Sequence, residues 1–131
     1  MTGLNTFDIA GRAMAAQLVR LNTIASNLAN AGAVSGTEAG AYRALKPVFA
    51  TSYDGASATM DVRSITRTGT PEQRNDPKHP LADADGNVWI AAVDPNQELV
   101  EMVETSRQYA NNVEVLSAAK ALALDTLRLG R

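Results

Sequence analysis

Apolar and polar residues follow two rhythms in this chain, helical at both ends and strand-like in between. Near the start, Phe7, Met14, Leu21 and Leu28 recur every seven residues with Leu18, Ile24 and Ala25 beside them. That spacing gives a helix one face with which to meet another helix. Toward the end, Leu99, Met102, Val103, Ser106, Tyr109, Ala110, Val113, Leu116, Ala123, Leu124 and Leu127 keep the i, i+3, i+4, i+7 rule. Long helices are therefore predicted over 4–31 and 94–130. At 1.5 Å per residue they would be about 40 and about 50 Å long, too long for a compact globule of this mass. The expected fold is mainly α with a small β insertion: long N- and C-terminal helices packed as a coiled-coil-like pair, with a short β-hairpin or sheet region between them.

Local signals mark where these helices begin and end. Asn5 is placed to cap the first, with Asp8 at the third helical position and Leu4 and Ile9 set as a hydrophobic staple. Asp94 caps the second, where Pro95 fits the first helical position because its missing N–H is not needed there, and Gln97 follows at the third. Gly130 ends it. The middle holds every proline except Pro95. Within it Met60 and Val62 alternate with Thr59, Asp61 and Arg63, Val88-Trp89-Ile90 follows an Asp85-Gly86 turn pair, and 41–50 is a third strand candidate. The stretch 68–87 reads mostly as turns. The expected division is an N-terminal helical arm at 1–31, a linker and small β insertion at 32–93, and a C-terminal helical arm at 94–131, the two arms forming one helical core domain.

Composition narrows the chemistry. With 131 residues and a formal net charge of −2, the chain is sized for one domain and shows no general affinity for nucleic acid or an anionic membrane. It has no cysteine, which excludes disulfides, thiolate metal sites and cysteine catalysis. No basic segment followed by an apolar one opens the sequence, and no run of about 18 apolar residues is present to span a bilayer; any export is expected to use a route other than a Sec signal. Asp83-Ala84-Asp85-Gly86 imitates part of a calcium loop, but Leu81 and Ala92 occupy the positions of the first and last ligands, so a turn is expected. His79, the only histidine, reads as a solvated loop side chain rather than a ligand or base. Glu98, Glu101 and Glu104 read as a solvated acidic face in the first turns of a helix. No phosphate-binding glycine loop, nucleophile elbow or metalloprotease motif occurs, and the expectation is a protein that is not an enzyme and uses no cofactor. Small residues around the first arm, among them Ala10, Ala13, Ala16 and Ala29, favour close packing on more than one face.

The run Ala25-Ser26-Asn27-Leu28-Ala29-Asn30, preceded by Leu21-Asn22 and followed by Tyr42-Arg43, resembles the N-terminal signature of bacterial flagellar rod, hook and related axial proteins. Many members of that family reach their aromatic–basic pair almost at once; here 31–41 intervenes, as in members with a longer linker. Glu101-Met102-Val103, Ser106-Arg107, Tyr109, Asn112, Val115, Lys120 and the ending Thr126-Leu127-Arg128-Leu129-Gly130, with Asn75-Asp76-Pro77, His79-Pro80, Ala82-Asp83 and Gly86, are similar to proximal-rod members. Asn87 departs from the aromatic residue common there.

The resemblance implies a structural component of the basal-body proximal rod that assembles with itself and with other rod proteins, through its arms, into a tubular drive shaft. It implies contact with export-gate or ring components of the basal body, a periplasmic location and export by the flagellar type III apparatus. It implies no nucleic acid, no membrane span and no small-molecule substrate. The assembly interface is expected at Phe7, Met14, Leu18, Leu21, Ile24, Ser26, Asn27, Leu28 and Asn30 of the first arm and at Leu99, Met102, Val103, Tyr109, Val113, Leu116, Leu124 and Leu127 of the second, with the β insertion projecting toward adjacent subunits. A soluble coiled-coil adaptor or export chaperone is the alternative.

Overall fold

The computed structural model describes residues 2–130, with side chains from Asn5 to Gly130. Helix α1 runs over Thr2–Ala29 and helix α2 over Pro95–Leu129. The start of α2 follows from its local chemistry: the Asp94 carboxylate accepts from the amides of Asn96 and Gln97 at 3.0 and 3.4 Å, and Pro95 occupies the first turn. At its other end the Gly130 amide donates to the Thr126 carbonyl at 3.1 Å. Helix α1 departs from expectation. It begins before Asn5, so Asn5 lies inside the helix and uses its amide to reach Ser57 instead of capping, while Asp8 pairs with Arg12 one turn on. The Leu4 side chain, half of the expected staple, lies outside the described ones. Asn30 closes α1, its side-chain amide donating to the Ser26 carbonyl at 2.8 Å.

Five strands separate the helices: β1 (Val34–Ser35), β2 (Ala44–Asp54), β3 (Ser57–Thr68), β4 (Glu72–Asn75) and β5 (Asn87–Ile90). β2 and β3 form an antiparallel ribbon paired from Ala44↔Thr68 to Asp54↔Ser57, with Gly55 at φ 61 in its tight turn. Val48 pairs with Ser64 and Phe49 with Val62, so Arg63 is an extra residue that bends β3 in mid-ribbon. The second sheet has the order β1-β5-β4, also antiparallel, with Val88 buried in its central strand. A backbone bridge ties this sheet to the root of the ribbon: Ala92 donates to the Tyr42 carbonyl at 2.8 Å, and Ala44 donates to the Ala92 carbonyl at 3.3 Å.

This architecture corrects the expectation of a mainly α fold with a small β insertion. The chain is 48% helical and 28% strand, and its two antiparallel sheets are a substantial part of the fold. The ribbon does not project. It lies back along α1, from Leu45 beside Asn27, past Asp61 at 3.5 Å from Arg12, to Ser57 beside Asn5. The full length of its strands is hard to see from rhythm because its exposed positions mix polar residues with Val48, Tyr53, Met60 and Ile65. In β4, Glu-Gln-Arg-Asn has no apolar position and is held by backbone pairing to β5, leaving no hydrophobic rhythm to find.

The helices are not a coiled-coil-like pair either. They run antiparallel and touch, with Asn27 opposite Glu98 and Gln17 opposite Gln108. The buried line of α1, however, is Ala10, Ala16, Gln17, Thr23, Ile24 and Asn27, while α2 buries only Glu98 and Thr105. Amides, a carboxylate and small side chains stand where a coiled coil would interlock leucines. The reason is that α1 has two neighbours: α2 on one side and the ribbon on the other. Close approach of both favours alanine, and the larger Phe7, Met14, Leu21 and Leu28 are left half-buried.

Candidate assembly site

Two features mark α2: a buried polar clamp at its N-terminal end, and a row of apolar side chains left uncovered along one flank.

The clamp centres on Asn27, which is 0% exposed. Its side-chain amide donates to the Leu45 carbonyl at 3.0 Å and accepts from the Leu45 N–H at 2.8 Å, so it pairs with Leu45 as a neighbouring strand would. The same oxygen accepts from the Tyr42 hydroxyl at 2.9 Å, and the same nitrogen donates to Glu98 Oε2 at 3.1 Å. The capacity of the amide is thereby filled, as burial requires. Glu98 is 2% exposed and also accepts from Lys46 Nζ at 2.9 Å; Lys46 Nζ reaches both oxygens of Glu101 at 3.0 Å. Partial burial disfavours the Lys46 charge, but hydrogen bonds to Glu98 and Glu101 outweigh it and hold the ammonium above its ordinary pKa. Ser26 joins through the Tyr42 hydroxyl at 3.0 Å. Three elements thus meet at one point, α1 through Ser26 and Asn27, β2 through Leu45 and Lys46, and α2 through Glu98 and Glu101.

The expectation of a solvated acidic face on α2 therefore fails at Glu98 and holds at the exposed Glu104, which accepts from Gln108 at 3.3 Å. Farther along α2 the inner face mixes polar and apolar groups: Thr105 is buried with its hydroxyl on the Glu101 carbonyl at 2.6 Å, Gln108 accepts from Gln17 at 3.0 Å, and Met102, Tyr109 and Leu116 are half-buried. The rest of the helix carries exposed apolar side chains among charged ones. Leu99 is 50% exposed, Val103 63% and Leu127 69%, with Val100, Val113, Leu122 and Leu124 also exposed. Leu99, Val100, Val103, Glu104 and Arg107 line a shallow groove of about 430 Å³.

The residues expected at an assembly interface thus fall into three groups. Leu18, Leu99, Val103, Val113, Leu124 and Leu127 are exposed; Phe7, Met14, Leu21, Leu28, Met102, Tyr109 and Leu116 are half-buried; Ile24 is buried in the subunit. Ser26, Asn27 and Asn30 serve the clamp and the end of α1. Lys46 and Glu98 were missed, although a lone lysine among the apolar residues of a strand candidate was the available signal.

The turn residues behave as turn residues. Asp83 Oδ1 accepts from the amides of Asp85 and Asn87 at 2.9 and 2.8 Å, and Gly86 takes φ 78 where a Cβ would meet Pro77 at 2.9 Å. His79, half-buried, accepts from the Leu81 amide through Nδ1 at 3.1 Å, and Asn87 pairs with Asn75 across β4 and β5 at 3.1 Å. Among the described residues no three acidic or histidine side chains gather as metal ligands would, and no helix is long and apolar enough to cross a membrane.

Comparison with known proteins adds sequence-wide likeness. Residues 7–36 match the family described as flagella basal body rod protein, and residues 84–129 match the flagellar basal body rod FlgEFG protein C-terminal family. The flagellar basal-body rod protein FlgC of Salmonella typhimurium is 45% identical over 100% of both chains. That of Escherichia coli O6:H1 is 43% identical, again over 100% of both, and that of Aquifex aeolicus is 32% identical over 90% of each.

Proposed function

From the premise that this chain belongs to the FlgC family of flagellar basal-body rod proteins and is a structural component of that rod, we propose that it assembles through the outward face of α2. The observation that carries this reading is the row of apolar side chains that α1 and the ribbon leave uncovered along one flank of α2, Leu99, Val103, Val113 and Leu124. Leucine and valine side chains repeated along a helix gain about 25 cal/mol per Å² when covered, and α1 leaves those of α2 open. Neighbouring subunits, copies of this chain and other rod proteins, would cover them. The exposed Leu18 and the half-buried Phe7, Met14 and Leu21 offer α1 as a second contact. Repetition of such contacts around an axis gives a tube that transmits torque by packing and needs no catalytic group.

The family places the protein in the flagellar basal body. The finer location proposed is the periplasmic, proximal part of the rod, reached through the flagellar type III apparatus in unfolded form. Ring and export-gate components would then be neighbours during assembly.

The assembly reading is tested with the paired variant Val103→Asp, Leu127→Asp. Both sites are exposed, so the monomer should keep its far-ultraviolet circular dichroism. An uncompensated charge buried at each contact costs several kcal/mol, so basal bodies from cells carrying the variant should lack the protein and the cells should not swim. Normal motility would refute the assignment of this face. The export reading is tested by fusing residues 1–50 to an easily unfolded reporter: export should require an active flagellar exporter, and export without one would count against the route.

A further inference from the structure

We propose that Asn27 is a positioning residue in a three-way lock, through which α1, the root of the β2–β3 ribbon and the N-terminal end of α2 become ordered only together. This goes beyond the assembly surface and does not depend on what covers it.

The argument rests on where each buried polar group finds its partners. Glu98 brings a carboxylate from α2 into the interior, and both groups that satisfy it come from elsewhere, Lys46 from β2 and Asn27 from α1. Asn27 brings a fully buried amide, and its partners are again supplied by the other elements: the backbone of Leu45, the Tyr42 hydroxyl just before the ribbon, and Glu98. Lys46 completes the set by facing Glu98 and Glu101 together. Any two of the three elements docked without the third would leave at least one of these groups without a partner that it has in the complete fold. Such groups are strongly disfavoured in a low-dielectric interior.

Partial assemblies of the fold therefore forgo hydrogen bonds and ion pairs that offset the cost of burial in the complete one. Asn27 is the pivot because its two amide atoms mimic a strand edge for Leu45, which fixes where β2 starts along α1, while the same nitrogen holds the carboxylate of α2. The distal end of the ribbon meets α1 through different contacts. It is held to α1 by the exposed Arg12–Asp61 pair at 3.5 Å and by Asn5 on Ser57.

The lock predicts a pattern of loss and rescue in hydrogen exchange on the full chain. Lys46→Met leaves Glu98 buried without its cation. Protection should fall at least tenfold, and by a similar factor, in three places at once: 20–28 of α1, 44–47 of β2 and 97–105 of α2. Glu98→Gln removes the charge but keeps an oxygen for the Asn27 amide. It should restore at least half of the lost logarithmic protection when added to Lys46→Met, and should by itself disturb the three segments less than Lys46→Met does. Arg12→Gln should loosen only the distal ribbon near 57–61. Should Lys46→Met unfold the chain altogether, the doubly substituted chain must refold. The proposal is overturned if Lys46→Met loosens β2 alone, if it has no effect, or if the double variant is no better protected than Lys46→Met.

Discussion

The two sides of α2 differ in how they are satisfied. Toward α1 it presents Glu98, Thr105 and Gln108 together with the half-buried Met102, Tyr109 and Leu116; its uncovered flank presents Leu99, Val103, Val113 and Leu124 beside charged residues such as Glu104 and Arg107. An amphipathic helix that belonged only to this subunit would leave fewer leucines and valines in water. The inner face obtains specificity from hydrogen bonds whose partners exist nowhere else. The outer face is generic, able to gain from any apolar surface of matching spacing. One side of the helix fixes the fold of the subunit, and the other is the surface proposed to meet neighbours.

The comparison can be broken by substitutions graded by their effect on folding. The largest effect belongs to the inner face. Asn27→Leu leaves the Glu98 carboxylate and the Leu45 backbone short of partners and should lower stability by about 3 kcal/mol, read as a shift in the urea midpoint. A change below about 1 kcal/mol would mean that the clamp is an incidental feature.

Alkaline titration sharpens the same point. The folded pKa of Lys46 is raised, so its contribution is complete below the unfolded value of about 10.4 and disappears as pH climbs through the folded value. The urea midpoint of the native chain should therefore drop more steeply above about pH 10.4 than that of a Lys46→Met chain. Parallel curves would remove Lys46 from the account. The Lys46 side chain is 30% exposed, so water screens part of its charge and the drop should be smaller than the effect of Asn27→Leu.

Thr105→Val asks whether every polar residue on the inner face is equally needed. Its hydroxyl is satisfied within its own helix, on the Glu101 carbonyl, and the shape is conserved, so the expected loss is under about 1 kcal/mol. A loss as large as that of Asn27→Leu would show a role for the hydroxyl beyond the helix. The smallest effect on stability should come from the outer face: Leu99→Gln should change the unfolding free energy by no more than about 0.5 kcal/mol. A larger destabilisation would mean that the outer face already serves the monomer.

How much of this was legible in the sequence depended on whether the signal was local. Asp94, Pro95 and Gly130 announced the ends of α2 because caps are read from neighbouring residues. The strand at Val88-Trp89-Ile90 was visible in its apolar run, and the core of β3 in the alternation around Met60 and Val62. In α1 the seven-residue rhythm pointed to Phe7, Met14 and Leu21 with Ile24 beside them; Ile24 is buried, but its companions at that depth are Ala10 and Gln17, and the larger three are half-buried. A helix wedged between two neighbours selects small residues, and hydrophobicity does not report that. β4 was invisible because a polar edge strand is held by its backbone. Asn27 stood out only through family resemblance, and its tie to Leu45 and Glu98 spans 18 and 71 residues of sequence, beyond the reach of any local pattern.

The claim that the outer face of α2 is buried between subunits has a direct measurement, because the chain has no cysteine and a single introduced thiol reports unambiguously. Val103→Cys should react with a small alkylating reagent in the isolated chain at close to the rate of a free exposed thiol. In purified basal bodies it should be protected by at least about tenfold, which corresponds to 1.4 kcal/mol if protection reflects an opening equilibrium. Reaction at the same rate in both states would contradict the account.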